Sequence, residues 1–145
     1  MTKKDISNSL ISSSKERFTL TKAERLTHKA TFENIFTSGK SIKANCLRFL
    51  YVMKNEPLNP HDQPLQFAPI VAKRKFKKAV DRNRIKRLIR ESWRKNKCSL
   101  KTTLQQSDQF MAVVILYLPS EIITYKEVEE AMQKGTQKLN DLCLE

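Results

Sequence analysis

Residues 78–97 read Lys78-Ala79-Val80-Asp81-Arg82-Asn83-Arg84-Ile85-Lys86-Arg87-Leu88-Ile89-Arg90-Glu91-Ser92-Trp93-Arg94-Lys95-Asn96-Lys97. Wound at about 100° per residue, Ile85, Leu88, Ile89 and Trp93 fall within one arc. Lys86, Lys97, Arg90, Asn83, Arg94 and Arg87 follow one another around the opposite side. The pattern predicts an amphipathic helix over 81–97 whose apolar face lies on a sheet and whose polar face is almost purely cationic. Asp81 suits the positive end of the helix dipole, whereas first-turn arginines at 82 and 84 do not. Cations set against the dipole point to a ligand. Arginine forks bind phosphates bidentately, and the open amides of a helix start add donors for the same groups. Asn83 offers both a donor and an acceptor, suiting a base edge or a 2′-hydroxyl.

The rest of the chain sharpens this contrast. It has 145 residues, with 28 Lys and Arg against 15 Asp and Glu, for a net charge of +13. The window 73–97 alone carries +11, which leaves +2 for the other 120 residues. One intensely basic element on an otherwise near-neutral body implies a polyanionic partner. A merely solvated basic face would not need so regular an apolar seam. A membrane-surface helix would need that seam free to enter lipid, whereas strand patterns flank the helix on both sides and need it as a lid.

Around the helix the chain reads as one domain over 18–145, preceded by a disordered Ser-rich lead over 1–17. Thr31 can cap a short helix, 32–38, placing Phe32, Ile35 and Phe36 on one face, and Gly39 stops it. Leu47, Phe49 and Tyr51 alternate with Arg48, Leu50 and Val52, a strand period. Residues 55–64 hold three prolines and read as a loop. Residues 65–72 form a second extended run with Pro69 at an edge or bulge. The apolar run 110–118 reads as a central strand buried on both sides. Thr124 and Glu127 make a capping box for a last helix. Its core stripe is Tyr125, Val128, Ala131, Met132, Leu139 and Leu142, interrupted by Gly135. The fold class is α/β (α+β): a small mixed sheet of about four strands with helices packed on it, a two-layer sandwich ordered α-β-β-(β)-α-β-α.

Several classes of function are excluded. The longest apolar run is nine residues, far short of the ~20 that span a bilayer, so no membrane role is expected. Residues 1–14 lack the apolar stretch of an export signal. Cys46, Cys98 and Cys143 are odd in number and far apart, which favours reduced thiols in a cytoplasm. His28 and His61 read as surface residues, and no metal-ligand spacing occurs. A protein nuclease acting alone would need clustered acids or a histidine pair, and the acids here are scattered. Helix-turn-helix DNA binding lacks its preceding short helix and turn. A structural RNA-binding role, such as that of a ribosomal protein, shares the charge pattern and stays open.

The stretch 78–91 resembles the "RNR" element of the bacterial ribonuclease P protein family. Arg25-Leu26, Thr31-Phe32-Glu33-Asn34-Ile35-Phe36 and Gly39-Lys40-Ser41 resemble that family's N-terminal segment, and Val71-Ala72-Lys73-Arg74 resembles its approach to the motif. One departure is that Lys75-Phe76-Lys77-Lys78 stands where the family usually carries a glycine. The resemblance covers about residues 25–142 and implies a ribosomal-protein-like outline. It implies a subunit of an endoribonuclease holoenzyme that removes the 5′ leader of precursor tRNA, with the catalytic centre and its Mg²⁺ in a large RNA. No catalytic residue, no metal of its own and no protein partner are then expected of this chain. By the same resemblance Arg74, Arg82, Asn83, Arg84, Lys86, Arg87, Arg90 and Arg94 would contact the catalytic RNA. Phe32, Phe36 and Tyr51 would line the cleft for the single-stranded leader. From spacing alone, Phe32 and Phe36 read as core.

Overall fold

A computed structural model describes residues 24–27, 29–55 and 64–144. The lead over 1–17, most of the proline loop, and both histidines lie outside these residues. In chain order the elements are α1 (Lys29–Ser38), β1 (Lys40–Ala44), β2 (Leu47–Lys54), β3 (Leu65–Ile70), α2 (Ala79–Asn96), α3 (Cys98–Gln106), β4 (Phe110–Tyr117) and α4 (Tyr125–Leu144). The four strands form one mixed sheet in the order β1-β2-β4-β3. β1 with β2 and β2 with β4 are antiparallel, while β3 runs parallel to β4. That parallel pair requires a crossover, and α2 and α3 supply it.

The central strand is β4, between β2 and β3, and its interior positions from Met111 to Ile115 are all buried. β3 is an edge strand, which tolerates the missing amide of Pro69. Its outer side receives the chain just before α1: Leu26 N donates to Phe67 O at 2.9 Å. β1 and β2 are joined by the two-residue turn Asn45-Cys46, in which Asn45 takes φ 52°.

Alternation along the strands divides the core in two. Leu47, Phe49, Tyr51, Leu65, Phe67, Met111, Val113, Ile115 and Tyr117 face α2, α3 and α4. Ala68, Ala112 and Val114 face the other way and pack with Ile35 of α1 and with Leu26. The expected two-layer arrangement thus holds for three helices, and α1 adds a partial layer on the opposite face.

Four local expectations need correction. Thr31 does not cap α1, which begins at Lys29 and buries Thr31 within its first turn. α2 begins at Ala79, with Lys78 as an N-cap of extended backbone and no side-chain cap. β1 supplies the fourth strand of the expected sheet, whereas α3 lies outside the expected order; α3 is held by Leu100 and Leu104, one turn apart and both fully buried. Gly135 does not interrupt the α4 stripe but belongs to it, since a Cβ there would lie 2.1 Å from Phe49 Cε1. The capping interaction at α4 is present, with Glu127 N donating to Thr124 Oγ1 at 3.3 Å.

Candidate nucleic-acid interface

The orientation of α2 follows from its seam. Ile85 and Ile89 are fully buried, Trp93 nearly so, and the indole stacks on Phe67 at 4.8 Å and 15°. With these side chains turned to the sheet, Asn83, Arg84, Arg87 and Arg90 are exposed along one side of the helix, and Lys86 is half-buried. From 83 to 90 this stripe runs about 10 Å along the axis. Asp81 sits in the first turn, as the dipole favours.

The approach to α2 adds Lys73, Arg74, Lys77 and Lys78, all exposed. Lys75 N and Phe76 N both donate to Ala72 O at 3.2 Å, forming a tight turn that needs no glycine. Phe76 is buried beside Tyr117, with ring centroids 5.9 Å apart, and so pins the turn to β4. Lys75 Nζ reaches Leu118 O.

Not every cation of the window is offered to solvent. Arg82 Nη1 donates to Phe76 O at 2.8 Å and to Lys77 O at 2.9 Å, so this arginine clasps the turn that leads into its own helix. Arg94 pairs with Glu91 at 2.5 Å. That hydrogen bond is the main reason the Glu91 carboxyl is held below its usual range. Lys95 lies over the Tyr125 ring, 5.3 Å from its centroid. Lys97, placed on the cationic face by the helical wheel, is instead 1% exposed. It is the terminal cap of α2, and its Nζ lies 2.5 Å from the carboxylate of Glu24, itself 2% exposed. Lys101 approaches the same carboxylate at 3.5 Å. The wheel cannot foresee this, because Glu24 is 73 residues away in sequence.

The three aromatic residues expected to share a cleft do not share one surface. Ile35 carries the contact of α1 with the sheet, Phe32 is half-buried beside it, and Phe36 is 53% exposed. Tyr51 is buried on the opposite face, in the core under α4. The strand residues of β2 that face α1 are Arg48, Leu50 and Val52. Apolar residues occupy both parities of 47–52, so the sequence does not tell which set faces α1, and a slip of one residue exchanges them. Tyr51 does border a separate cavity of about 440 Å³, with Asn34, Ser38, Lys40, Val52, Lys54 and Leu142 among its walls.

Among the described residues no helix is long and apolar enough to cross a membrane. The family model for ribonuclease P matches residues 20–140. The ribonuclease P protein component of Porphyromonas gingivalis is 35% identical over 118 residues, covering 81% of this chain and 84% of that one. That of Macrococcus caseolyticus is 35% identical over 112 residues, covering 77% and 86%. Among solved structures, the ribonuclease P protein of Thermotoga maritima superposes with a TM-score of 0.61 at 22% identity, covering 79% of this chain and 96% of that one. The Staphylococcus aureus protein gives 0.59 at 21%, covering 81% and 94%. The likeness to these structures concerns the fold; together with the family match and the sequence relatives, it places the chain in the ribonuclease P protein family, as a protein subunit of that endoribonuclease.

Proposed function

We propose that this chain anchors the catalytic RNA of ribonuclease P through the exposed side of α2 and holds the 5′ leader of precursor tRNA on the opposite side of its sheet. The observation that carries the first half is the +11 window, set over a buried seam that turns Asn83, Arg84, Lys86, Arg87 and Arg90 outward. Arg74 extends this surface from the turn. Arg82 and Arg94 join it while also holding Phe76, Lys77 and Glu91 in place. Such contacts neutralise phosphates and release counterions, so affinity should fall steeply with salt.

The leader half rests on Phe36, a large apolar ring left 53% exposed beside half-buried Phe32. Aromatic faces stack single-stranded bases without demanding sequence, at about 1–3 kcal/mol per base. Hydrolysis of the phosphodiester, giving a 5′-phosphate, is assigned to the RNA. Among the described residues no three His, Cys, Asp or Glu side chains come together to hold a metal ion. The Mg²⁺ of the reaction is assigned to the RNA as well. The three cysteines carry no disulfide, in keeping with a cytoplasmic location.

The test is cleavage of precursor tRNA at low, near-physiological Mg²⁺ by the chain alone, the cognate RNA alone, and the two combined. Strong leader removal only in the mixture is expected. Tight RNA binding without stimulation would overturn the reading in favour of a purely structural RNA-binding role. Cleavage by the pure chain would place the chemistry on the protein.

A further inference from the structure

The chain just before α1 touches both layers of the molecule. Glu24 is 2% exposed, and its carboxylate lies 2.5 Å from Lys97 Nζ, at the junction of α2 and α3. One residue on, Arg25 bridges to Phe67 on the outer side of β3. Leu26 N donates to Phe67 O at 2.9 Å, and the Leu26 side chain belongs to the small core that holds Ile35 of α1. Across residues 24–26 the chain thus passes from the end of the cationic helix, along an edge strand, to the packing of α1.

Its grip on α2 is double. Phe67, whose carbonyl takes the Leu26 hydrogen bond, stacks its ring on Trp93 at 4.8 Å. Lys97 lies one turn beyond Trp93, so both contacts land on the same face at the end of α2. Trp93 and Lys97 are each 1% exposed. Lys101, 3.5 Å from the Glu24 carboxylate, adds a second cation from α3.

An ion pair is not the most stable way to fill such a place. Desolvating two charges offsets most of their attraction, and apolar side chains of similar volume are often as stable or more so. What the pair supplies is direction, because both charges must be met, whereas apolar contact is non-directional and tolerates sliding. Here that direction relates elements on opposite faces of the sheet, α2 with α3 on one and α1 on the other. The pair between Arg94 and Glu91, by contrast, joins residues three apart in one helix and relates no two elements.

We propose that Glu24 is a positioning residue for the reaction. Through Lys97 it fixes α1, which carries Phe32 and Phe36, relative to α2, which carries Arg84, Arg87 and Arg90. A leader on one face then stands in fixed register with the catalytic RNA on the other. Glu24 and Lys97 are buried and touch neither RNA themselves. The proposal rests on the reading of the chain as the leader-holding subunit of ribonuclease P, and it adds the link between its two binding faces.

The experiment uses the reconstituted holoenzyme, with Kd measured for a precursor tRNA and for the same tRNA without its leader. The ratio of the two is the leader's contribution. Glu24→Gln/Lys97→Met is compared with the parent and with Phe36→Ala, and urea unfolding of each chain accompanies the binding. The double variant should fold, bind the catalytic RNA as the parent does, and leave leaderless tRNA unaffected. The leader's contribution should fall about fivefold or more, as for ordinary coupling between two sites. Glu24→Asp keeps the charge but draws the carboxylate back by one methylene, and it should lose part of the contribution; it decides the matter if the double variant does not fold. A leader contribution equal to the parent's in the folded double variant, or in Glu24→Asp where that alone folds, overturns the proposal. So does an equal loss on both tRNAs. If Phe36→Ala lowers the contribution while the Glu24 variants do not, only the role of Glu24 fails. If the parent itself prefers neither tRNA, the leader reading fails.

Discussion

Substituting Gly135 by alanine sets two opposed effects against each other in one residue. In an exposed helix interior the change would favour folding by about 1 kcal/mol, from helix propensity. Here the added Cβ would lie 2.1 Å from Phe49 Cε1, 2.2 Å from Cζ and 2.9 Å from Cδ1. Carbon atoms pack comfortably at about 3.5–4.0 Å, so ring and helix would have to separate by about 1.5 Å. Phe49 cannot swing aside, because it is fully buried and its strand is paired on both edges. Overpacking of this kind costs about 1–3 kcal/mol, and the displaced group is a rigid ring, so the upper part of that range applies. The net destabilisation should be about 1–2 kcal/mol, or a fall in Tm of about 3–8 °C. Urea unfolding should show a lower midpoint at unchanged slope. Placing Phe49→Leu beneath the alanine should recover part of the loss, with a coupling of about 1 kcal/mol in the double-mutant cycle. A stabilised Gly135→Ala protein with no coupling to Phe49 would mean that α4 does not sit on β2 as described.

Further outcomes follow from individual contacts. Arg82→Ala should lower stability by about 1–2 kcal/mol through loss of its two bonds to the 76–77 carbonyls. Arg87→Ala, at an exposed position, should leave urea unfolding within about 0.5 kcal/mol. Both should weaken association with the catalytic RNA, read by titration across salt; equal stabilities of the two variants would contradict the clasp. Glu24→Gln should cost about 3 kcal/mol by removing the carboxylate paired with buried Lys97, and Glu24→Gln/Lys97→Met should recover more than half of it. Burial raises the thiols of Cys46 and Cys143 and the phenol of Tyr117 above their ordinary values. A raised pKa in the folded state gives stability that is complete below the unfolded pKa and is lost as pH climbs through the folded one. Urea midpoints should therefore decline on the alkaline side, above the ordinary cysteine range, and a Cys46→Ser/Cys143→Ser variant should flatten that decline.

Much of this arrangement is legible in the sequence, and the gaps have identifiable physical causes. The seam Ile85-Leu88-Ile89-Trp93 reports α2 and its rotation, because helical period and cationic face reinforce each other. The run 110–117 declares itself central, since only a strand covered on both faces is apolar at both parities. β1, with Lys40, Ser41 and Lys43 exposed, carries almost no apolar signal and owes its existence to pairing with β2. The Leu100–Leu104 spacing is a signal for α3, but nine residues with a single helical repeat fall below what periodicity alone decides. Tyr51 and Lys97 show a different limit. Local pattern places each on an element but not toward a partner, and the faces they take are set by residues distant in the chain. Arg48, Leu50 and Val52 face α1 for the same reason, so the residues of β2 on that face are decided only by the register.

The parallel pairing of β3 with β4 joins strands separated by residues 71–109, so the cationic helix lies inside this closure, as it does inside the longer one between β2 and β4. The β1–β2 hairpin can form locally, but this closure must meet its chain entropy before the parallel contacts reward it. Closing it also compacts the +11 window, whose self-repulsion opposes the step until ions screen it. Refolding should therefore accelerate with ionic strength over the range in which RNA affinity declines. Salt would favour acquisition of the structure while opposing its use.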